Sequence, residues 1–188
     1  MNYQQNDIHL QWVEACRQGD RKAYSDLYQA YSKAMFNICF RMMGDVEEAR
    51  DMLQEGFVEA FHKLNSFRGE SSFGAWLKRI MVNRCINELG RRRIQWVSDD
   101  QPELKNVADE DQGVDEEALR LSVDRVKLAM AKLPEGARVI FSLYLIEGYD
   151  HTEIAEILKI SESTSKTQFM RARQLVKEIM LSMPGFVA

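Results

Sequence analysis

Proline is scarce in this chain. There are three in 188 residues, with only ten glycines beside them. So few helix breakers leave long stretches free to be helical. No run of alternating apolar and polar residues marks a strand. No eighteen consecutive residues are apolar, so the sequence offers no membrane-spanning segment. The first residues, MNYQQNDIHLQW, lack a basic start followed by an apolar run. They do not read as a secretory signal, and a cytoplasmic location is expected. Cysteine is equally sparse: Cys16, Cys39 and Cys85 are odd in number and far apart, with no CxxC spacing. Each lies in an apolar helical context and is expected to be a buried free thiol. His9, His62 and His151 form no ligand pairs with them, so no zinc site is expected. No Ser-His-Asp order, P-loop or paired-carboxylate site occurs. The chain therefore reads as no enzyme, with no catalytic residue, no metal and no cofactor.

What the chain does have is apolar content and a charge pattern. Hydrophobic residues make up 45%, enough for packed cores. The net charge is −4, but it is unevenly spread. Residues 1–96 carry +2, residues 97–117 carry −8, and residues 118–188 carry +2. The acidic stretch VSDDQPELKNVADEDQGVDEE has few large apolar side chains and cannot bury enough surface to fold alone. The expected fold is all-α: a helical domain over 1–95, a flexible acidic linker over 96–117, and a second helical domain over 118–188.

Apolar periodicity places the helices. One is expected from about Ile8 to Gln18, and a second from Arg21 to Met43. The second should bury Ala23, Leu27, Tyr31, Ala34, Ile38 and Met42. Gly44 ends it and Asp45 caps the third helix. That helix carries the stripe Val46, Ala49, Leu53, Phe57, Ala60, Phe61 and Leu64. A fourth starts near Phe73, buries Leu77, Met81, Cys85 and Leu89, and ends in Arg91-Arg92-Arg93. A helix from about Glu116 to Lys132 opens the second domain, and another follows Pro134.

The segment GYDHTEIAEILKISESTSKTQFMRAR then reads as two short helices joined by a tight turn. Asp150 and Glu153 are spaced for a capping box. Ile154, Ala155, Ile157 and Leu158 give the first helix its apolar face, and Lys159-Ile160 makes the turn, with Ile160 expected in the core. Ser161 is a natural N-cap for the second helix. Phe169, Ala172, Val176 and Ile179 should face inward, leaving Ser163, Lys166, Thr167, Met170, Arg171 and Gln174 outside. This is the layout of a helix-turn-helix that reads a DNA major groove. By itself it also fits a polar surface helix.

Arg79, Asn83 and Asn87 recur at four-residue steps on the fourth helix, a line that can contact phosphates and base edges or simply face solvent. The loop Ser66 to Ser72 mixes glycine, hydroxyls and charges between two aromatics. Such a loop can hold an unstacked base, or it can merely connect two helices. Phe73 and Trp76 flank a helix start and read as core. The outward face of the third helix, Glu47, Asp51, Gln54, Glu55 and Glu59, fits solvent or a protein dock.

The run EEARDMLQEGFVEAFHKLNSFRGESSFGAWLKRIMVNRCINELGRRR, together with LPEGARVIFSLYLIEGYDHTEIAEILKISESTSKTQFMRARQLV, closely resembles bacterial sigma factors of the extracytoplasmic-function type. The resemblance covers nearly the whole chain. It implies a region 2 bundle and a region 4 helix-turn-helix. It also implies binding to RNA polymerase core through the clamp coiled coil and the flap, and to promoter DNA both as duplex and as melted strand. An anti-sigma factor is implied as a controlling partner. By position, Asp51, Gln54 and Glu55 would dock on the clamp. Phe67, Arg68, Gly69, Glu70 and Ser71 would capture a flipped base of the melted minus-ten element, with Arg79, Asn83, Arg84 and Asn87 on the same element. Lys166, Thr167 and Arg171 would reach the minus-thirty-five element, and Ser163, Thr164 and Arg173 its phosphates. The linker would thread toward the RNA exit path.

The chain departs from the resemblance at several positions. Many relatives have glycine where Lys159 stands, and valine and arginine where Ser165 and Gln168 stand. A different DNA sequence could then be read. Leu77 follows Trp76 where housekeeping relatives have adjacent tryptophans, which implies weaker strand opening. A stand-alone helix-turn-helix regulator is the alternative. It requires tight promoter binding without polymerase, and each domain has little positive charge for that.

Overall fold

The computed structural model describes residues 3–92 and 125–183, with side chains from residue 9. The chain divides into two compact units, Met1–Arg92 and Arg93–Ala188. The acidic stretch expected over 96–117 and the helix start near Glu116 lie outside the described residues.

The first unit contains α1 (Tyr3–Arg17), α2 (Arg21–Met43), α3 (Val46–His62), a single 3-10 turn (Leu64–Ser66) and α4 (Phe73–Arg91). Capping groups punctuate it. The Asp20 carboxylate accepts from the Lys22 amide, and Asp45 accepts from the Glu47 and Glu48 amides at 2.9 and 3.0 Å. Ser72 accepts from the Ala75 amide at 3.2 Å and starts α4. Each such cap is worth about 1 kcal/mol. Gly44 closes α2 in the left-handed conformation, φ 78°.

α2 packs against α1, α3 and α4. Three neighbours demand a broad apolar face, so its buried set differs from a single stripe. Ala23, Leu27, Ile38 and Met42 are buried as expected, and Met35, Cys39 and Met43 join them. Tyr31 is half-buried and Ala34 is exposed. On α3, Val46 is exposed, while Ala49, Leu53, Phe57 and Ala60 are buried. Leu77, Met81, Cys85 and Leu89 of α4 are all buried. Gly56 lets α4 come close: a Cβ there would lie 2.3 Å from the Met81 sulfur.

The second unit contains α5 (residues 125–131), α6 (Glu135–Leu145), α7 (His151–Leu158) and α8 (Glu162–Ser182). α8 packs on α6 and α7 around Val139, Ile140, Leu143, Ile154, Phe169, Ala172 and Val176. Pro134 stands just before α6 rather than in its first turn, and its carbonyl accepts from the Arg138 amide. Ile154 is the fully buried residue of α7; Ala155, Ile157, Leu158, Ile160 and Ile179 are only half-buried. A four-helix unit this small has too little interior to cover them.

All three cysteines are free and buried. Burial, helped by Asp20 and Asp26, pushes the Cys16 thiol up to about 11. Contact with Cys39 and burial push the Cys85 thiol upward as well. Neither is a ready nucleophile at neutral pH.

Candidate nucleic-acid interface

The loop between the 3-10 turn and α4 has an aromatic floor and a polar rim. Phe67 is 4% exposed, and its ring lies 5.6 Å from Phe73 and 5.4 Å from Trp76. This differs from the expectation that Phe67 faces a base. Its ring is already used against two neighbours and supports the loop from beneath. Phe73 is buried and Trp76 half-buried, as read from their place at a helix start. Arg68, Gly69, Glu70 and Ser71 are exposed. Gly69 turns the chain at φ 75°, a conformation that costs other residues about 1–2 kcal/mol. Arg17, at the end of α1, donates from Nη2 to the carbonyl of Leu64 at 3.3 Å and, more closely, to that of Phe67.

Beyond the loop, Arg79, Asn83 and Asn87 are exposed in line along α4, turned away from its buried stripe. Arg84 is placed differently. Its guanidinium pairs with Glu55 and, at 3.8 Å, with Glu59, so α3 holds it. Arg92 is likewise drawn to Glu48 at 2.9 Å and Glu88 at 3.4 Å.

Asp51, Gln54 and Glu55 are exposed on α3. Beside them runs a groove of about 820 Å³, lined chiefly by Tyr28, Phe36, Leu53, Phe57, Val58 and Phe61, with Gln54 at its edge. Val58 is 51% exposed and Tyr28 42%. The sequence reading missed this apolar half of the surface. The signal was present in Tyr28 and Val58, apolar residues that sit off the buried stripes.

In the second unit the N-caps of α7 and α8 have the expected polar chemistry. The Glu153 amide donates to Asp150 at 2.8 Å and the Asp150 amide to Glu153 at 2.9 Å, completing the capping box. Ser161 accepts from the Thr164 amide at 3.0 Å. Its hydroxyl also meets those of Ser163 and Thr164 at 2.9 and 2.7 Å, so both side chains are partly engaged by the cap. Ser163 and Lys166 are exposed, and Lys166 pairs with Glu162 at 2.6 Å. Thr167 and Arg171 are half-buried. Arg173 lines a second groove, of about 600 Å³, between α6 and α8 beside Tyr144, Leu145 and Leu181.

Ser165 and Gln168, two of the departures noted in the sequence, are 0% and 2% exposed. They lie on the inner face of α8, so neither side chain can read a base edge. Any change in DNA preference they cause acts through the seating of the helix. The Ser165 hydroxyl is hydrogen-bonded to His151 Nδ1 at 2.9 Å. The Tyr144 ring stacks on His151 at 4.3 Å. Burial lowers the His151 pKa, nearby Lys166 lowers it further, and Glu162 and Asp150 oppose them.

Among the described residues no group of three or more His, Cys, Asp or Glu is placed to hold a metal ion. No helix among them is long and apolar enough to cross a membrane.

Two helical units, one ending in a helix-turn-helix and the other carrying a polar loop and an exposed Arg-Asn line, fit the class of DNA-binding transcription proteins. Residues 27–94 match the Sigma-70 region 2 family, and residues 124–176 match the Sigma-70 region 4 family. The ECF RNA polymerase sigma-E factor of Escherichia coli strain K12 is 32% identical over 177 residues, covering 87% of this chain and 90% of that protein. The ECF RNA polymerase sigma factor SigW of Bacillus subtilis is 29% identical over 178 residues, covering 88% and 93%. The sigma factor RpoE of Bartonella quintana, solved in complex with the anti-sigma factor NepR, has the same fold. It gives a TM-score of 0.54 at 21% identity, over 86% of this chain and 98% of that one. The chain belongs to the ECF family of RNA polymerase sigma factors, and it directs transcription as a member of that family.

Proposed function

We propose that this sigma factor selects promoters by dividing the reading between its two units while RNA polymerase core holds both. Asp51, Gln54 and Glu55, with the adjoining apolar groove, receive the clamp coiled coil. The apolar groove of the second unit receives the flap. The rim of Arg68, Gly69, Glu70 and Ser71 takes a flipped base of the melted minus-ten strand. Phe67 shapes the rim from below rather than stacking on the base. Arg79, Asn83 and Asn87 run along the same strand, and Arg84 joins them when its carboxylate partners are engaged elsewhere. In the duplex minus-thirty-five element, Lys166, Thr167 and Arg171 face base edges, and Ser163, Thr164 and Arg173 face phosphates.

The observation that carries this reading is the exposed line of Arg79, Asn83 and Asn87 beside a preformed polar loop. It supports contact with a single strand, which a duplex-only regulator does not need. The energetics agree. A stacked base or a good bidentate base contact is worth about 1–3 kcal/mol. Each unit has few such contacts, and some of its cations are partly neutralised by carboxylates: Arg84 and Arg92 in the first, Lys166 in the second. Joining two weak readers to one large body raises their effective concentration and with it the affinity. The chain works in the cytoplasm, where core polymerase is. The anti-sigma complex of the Bartonella quintana protein supports control by an anti-sigma factor here.

Run-off transcription with purified core on a genomic library tests the proposal. Discrete start sites that depend on the added chain are expected. A gel shift with and without core separates the alternative, because equal sequence-specific affinity in both would make the chain a stand-alone regulator.

A further inference from the structure

We infer that Arg17 is a positioning residue for base capture, and that α1 acts as the buttress of the capturing loop. The inference rests on reading the Arg68 to Ser71 rim as the base site.

α1 grips this loop at two points. Arg17 Nη2 donates to the carbonyls of Leu64 and Phe67, which bracket the 3-10 turn. Its other terminal nitrogen, Nη1, pairs with Glu14 at 3.2 Å and orients the fork. The turn itself is short, with Phe67 donating to the Leu64 carbonyl at 3.1 Å and Ser66 to the Lys63 carbonyl at 2.8 Å. Without Arg17 the two bracketing carbonyls lose their shared charged donor.

The second grip lies under the far end of the loop. His9 Nδ1 and the Tyr31 hydroxyl are 2.7 Å apart. The Tyr31 ring meets Phe73 edge-on at 5.3 Å, and Phe73 packs on Phe67 and Trp76. Gly74 makes room for this, since a Cβ there would lie 2.9 Å from the Tyr31 ring. The aromatic floor is thus held from α1 through Tyr31, while the peptides leading into Arg68 are held by Arg17.

A loop that receives an unstacked base binds more tightly if its backbone is already ordered, because less conformational freedom is lost on binding. Arg17 supplies that order without touching DNA. The hydrogen bonds run from a charged donor to carbonyls, the stronger kind.

The test uses the full chain assembled with core polymerase on a promoter from the run-off screen. 2-Aminopurine is placed in turn at each minus-ten position of the non-template strand. Arg17→Met, which removes both hydrogen bonds to the loop, is expected to lower the unstacked-base signal by about tenfold or more. Core affinity and binding to the minus-thirty-five duplex stay within about twofold. Arg17→Lys, which keeps the charge but not the fork, recovers part of the signal. Should Arg17→Met fail to fold, Arg17→Lys alone carries the test, with amide hydrogen exchange at Arg68 to Ser71 rising as the signal falls. A double variant, Arg68→Ala with Ser71→Ala, is the comparator. If the comparator loses the signal and the Arg17 variants keep it, the role given to Arg17 is wrong and the loop reading stands. If the comparator keeps the signal, the loop reading itself is wrong. An equal loss of core affinity, minus-thirty-five binding and signal in the Arg17 variants makes Arg17 a plain stability residue and overturns the inference.

Discussion

His151 and Ser165 join the two helices of the helix-turn-helix through a hydrogen bond of 2.9 Å on the protected side of α8. Ser165 is fully buried, and His151 is covered by the rings of Tyr144 and Phe169. Removing one partner of a shielded hydrogen bond strands the other, at a cost of about 1–3 kcal/mol. Ser165→Val should therefore destabilise the second unit by that amount, even though valine suits a buried site. Pairing it with His151→Phe should restore much of the loss, because both polar groups then vanish together. Urea unfolding of the four variants in a double-mutant cycle checks this. Additive losses would mean the bond contributes nothing to the seating of α8.

The same histidine gives a pH dependence with a definite sign. Burial is the main cause that lowers its pKa from the ordinary value, and Lys166 adds to it. The unfolded chain then binds a proton more readily than the folded one. Stability is full above about pH 6.5, where an unfolded histidine is neutral. It declines as pH falls from there toward the lowered folded value, and the slope ends below it. His9 is shifted the same way by burial, so the first unit should show the same trend. Thermal unfolding followed from pH 8 to pH 5 reads this directly, and His151→Phe should flatten the curve of the second unit alone.

Much of the fold was legible because it is written locally. Gly44, Asp45, Asp150, Glu153 and Ser161 act within four residues of where they stand, and the sequence shows such spacings plainly. Leu77, Met81, Cys85 and Leu89 repeat a single period and were equally clear. The candidate site was less legible where partners are remote. Phe67 is buried by Phe73 and Trp76, and its polar neighbours gave no hint of that. Arg17 meets carbonyls 47 and 50 residues away. Ser165 stood out in the sequence only as a departure from the valine of many relatives, and its partner His151 lies 14 residues away on another helix. The groove beside Gln54 forms where α2 and α3 meet, with the Tyr28 ring 4.7 Å from that of Phe57 and Val58 on the same wall.

Lys159 predicts a stabilising substitution. Among the described residues it is the one non-glycine with positive φ, at 56°, in the turn between α7 and α8. Its backbone closes α7 by donating to the Ala155 carbonyl, a geometry that favours glycine. Lys159→Gly should raise the stability of the second unit by about 1 kcal/mol, after the larger entropy of glycine in the unfolded chain is counted. Differential scanning calorimetry should show the higher-melting second unit. A lower melting temperature would mean the lysine side chain makes a contact that outweighs the strain.

Arg84 and Glu55 belong to different proposed surfaces, one for DNA and one for polymerase, yet they pair with each other. Both are partly exposed, so the pair contributes little to folding, on the order of 0–1 kcal/mol. Its consequence is competition: a guanidinium held by Glu55 and Glu59 is less available to a phosphate. Glu55→Gln should therefore leave the melting temperature nearly unchanged. It should raise the affinity of the free chain for a single-stranded minus-ten oligonucleotide by roughly two- to threefold, and steepen its salt dependence slightly. The same substitution should weaken binding to core, because Glu55 is a proposed docking residue. Fluorescence anisotropy with the oligonucleotide and with core separates the two effects. Adding Arg84→Ala should abolish the gain on the oligonucleotide while leaving the loss on core in place. If the gain survives without Arg84, the released charge is not what binds the strand.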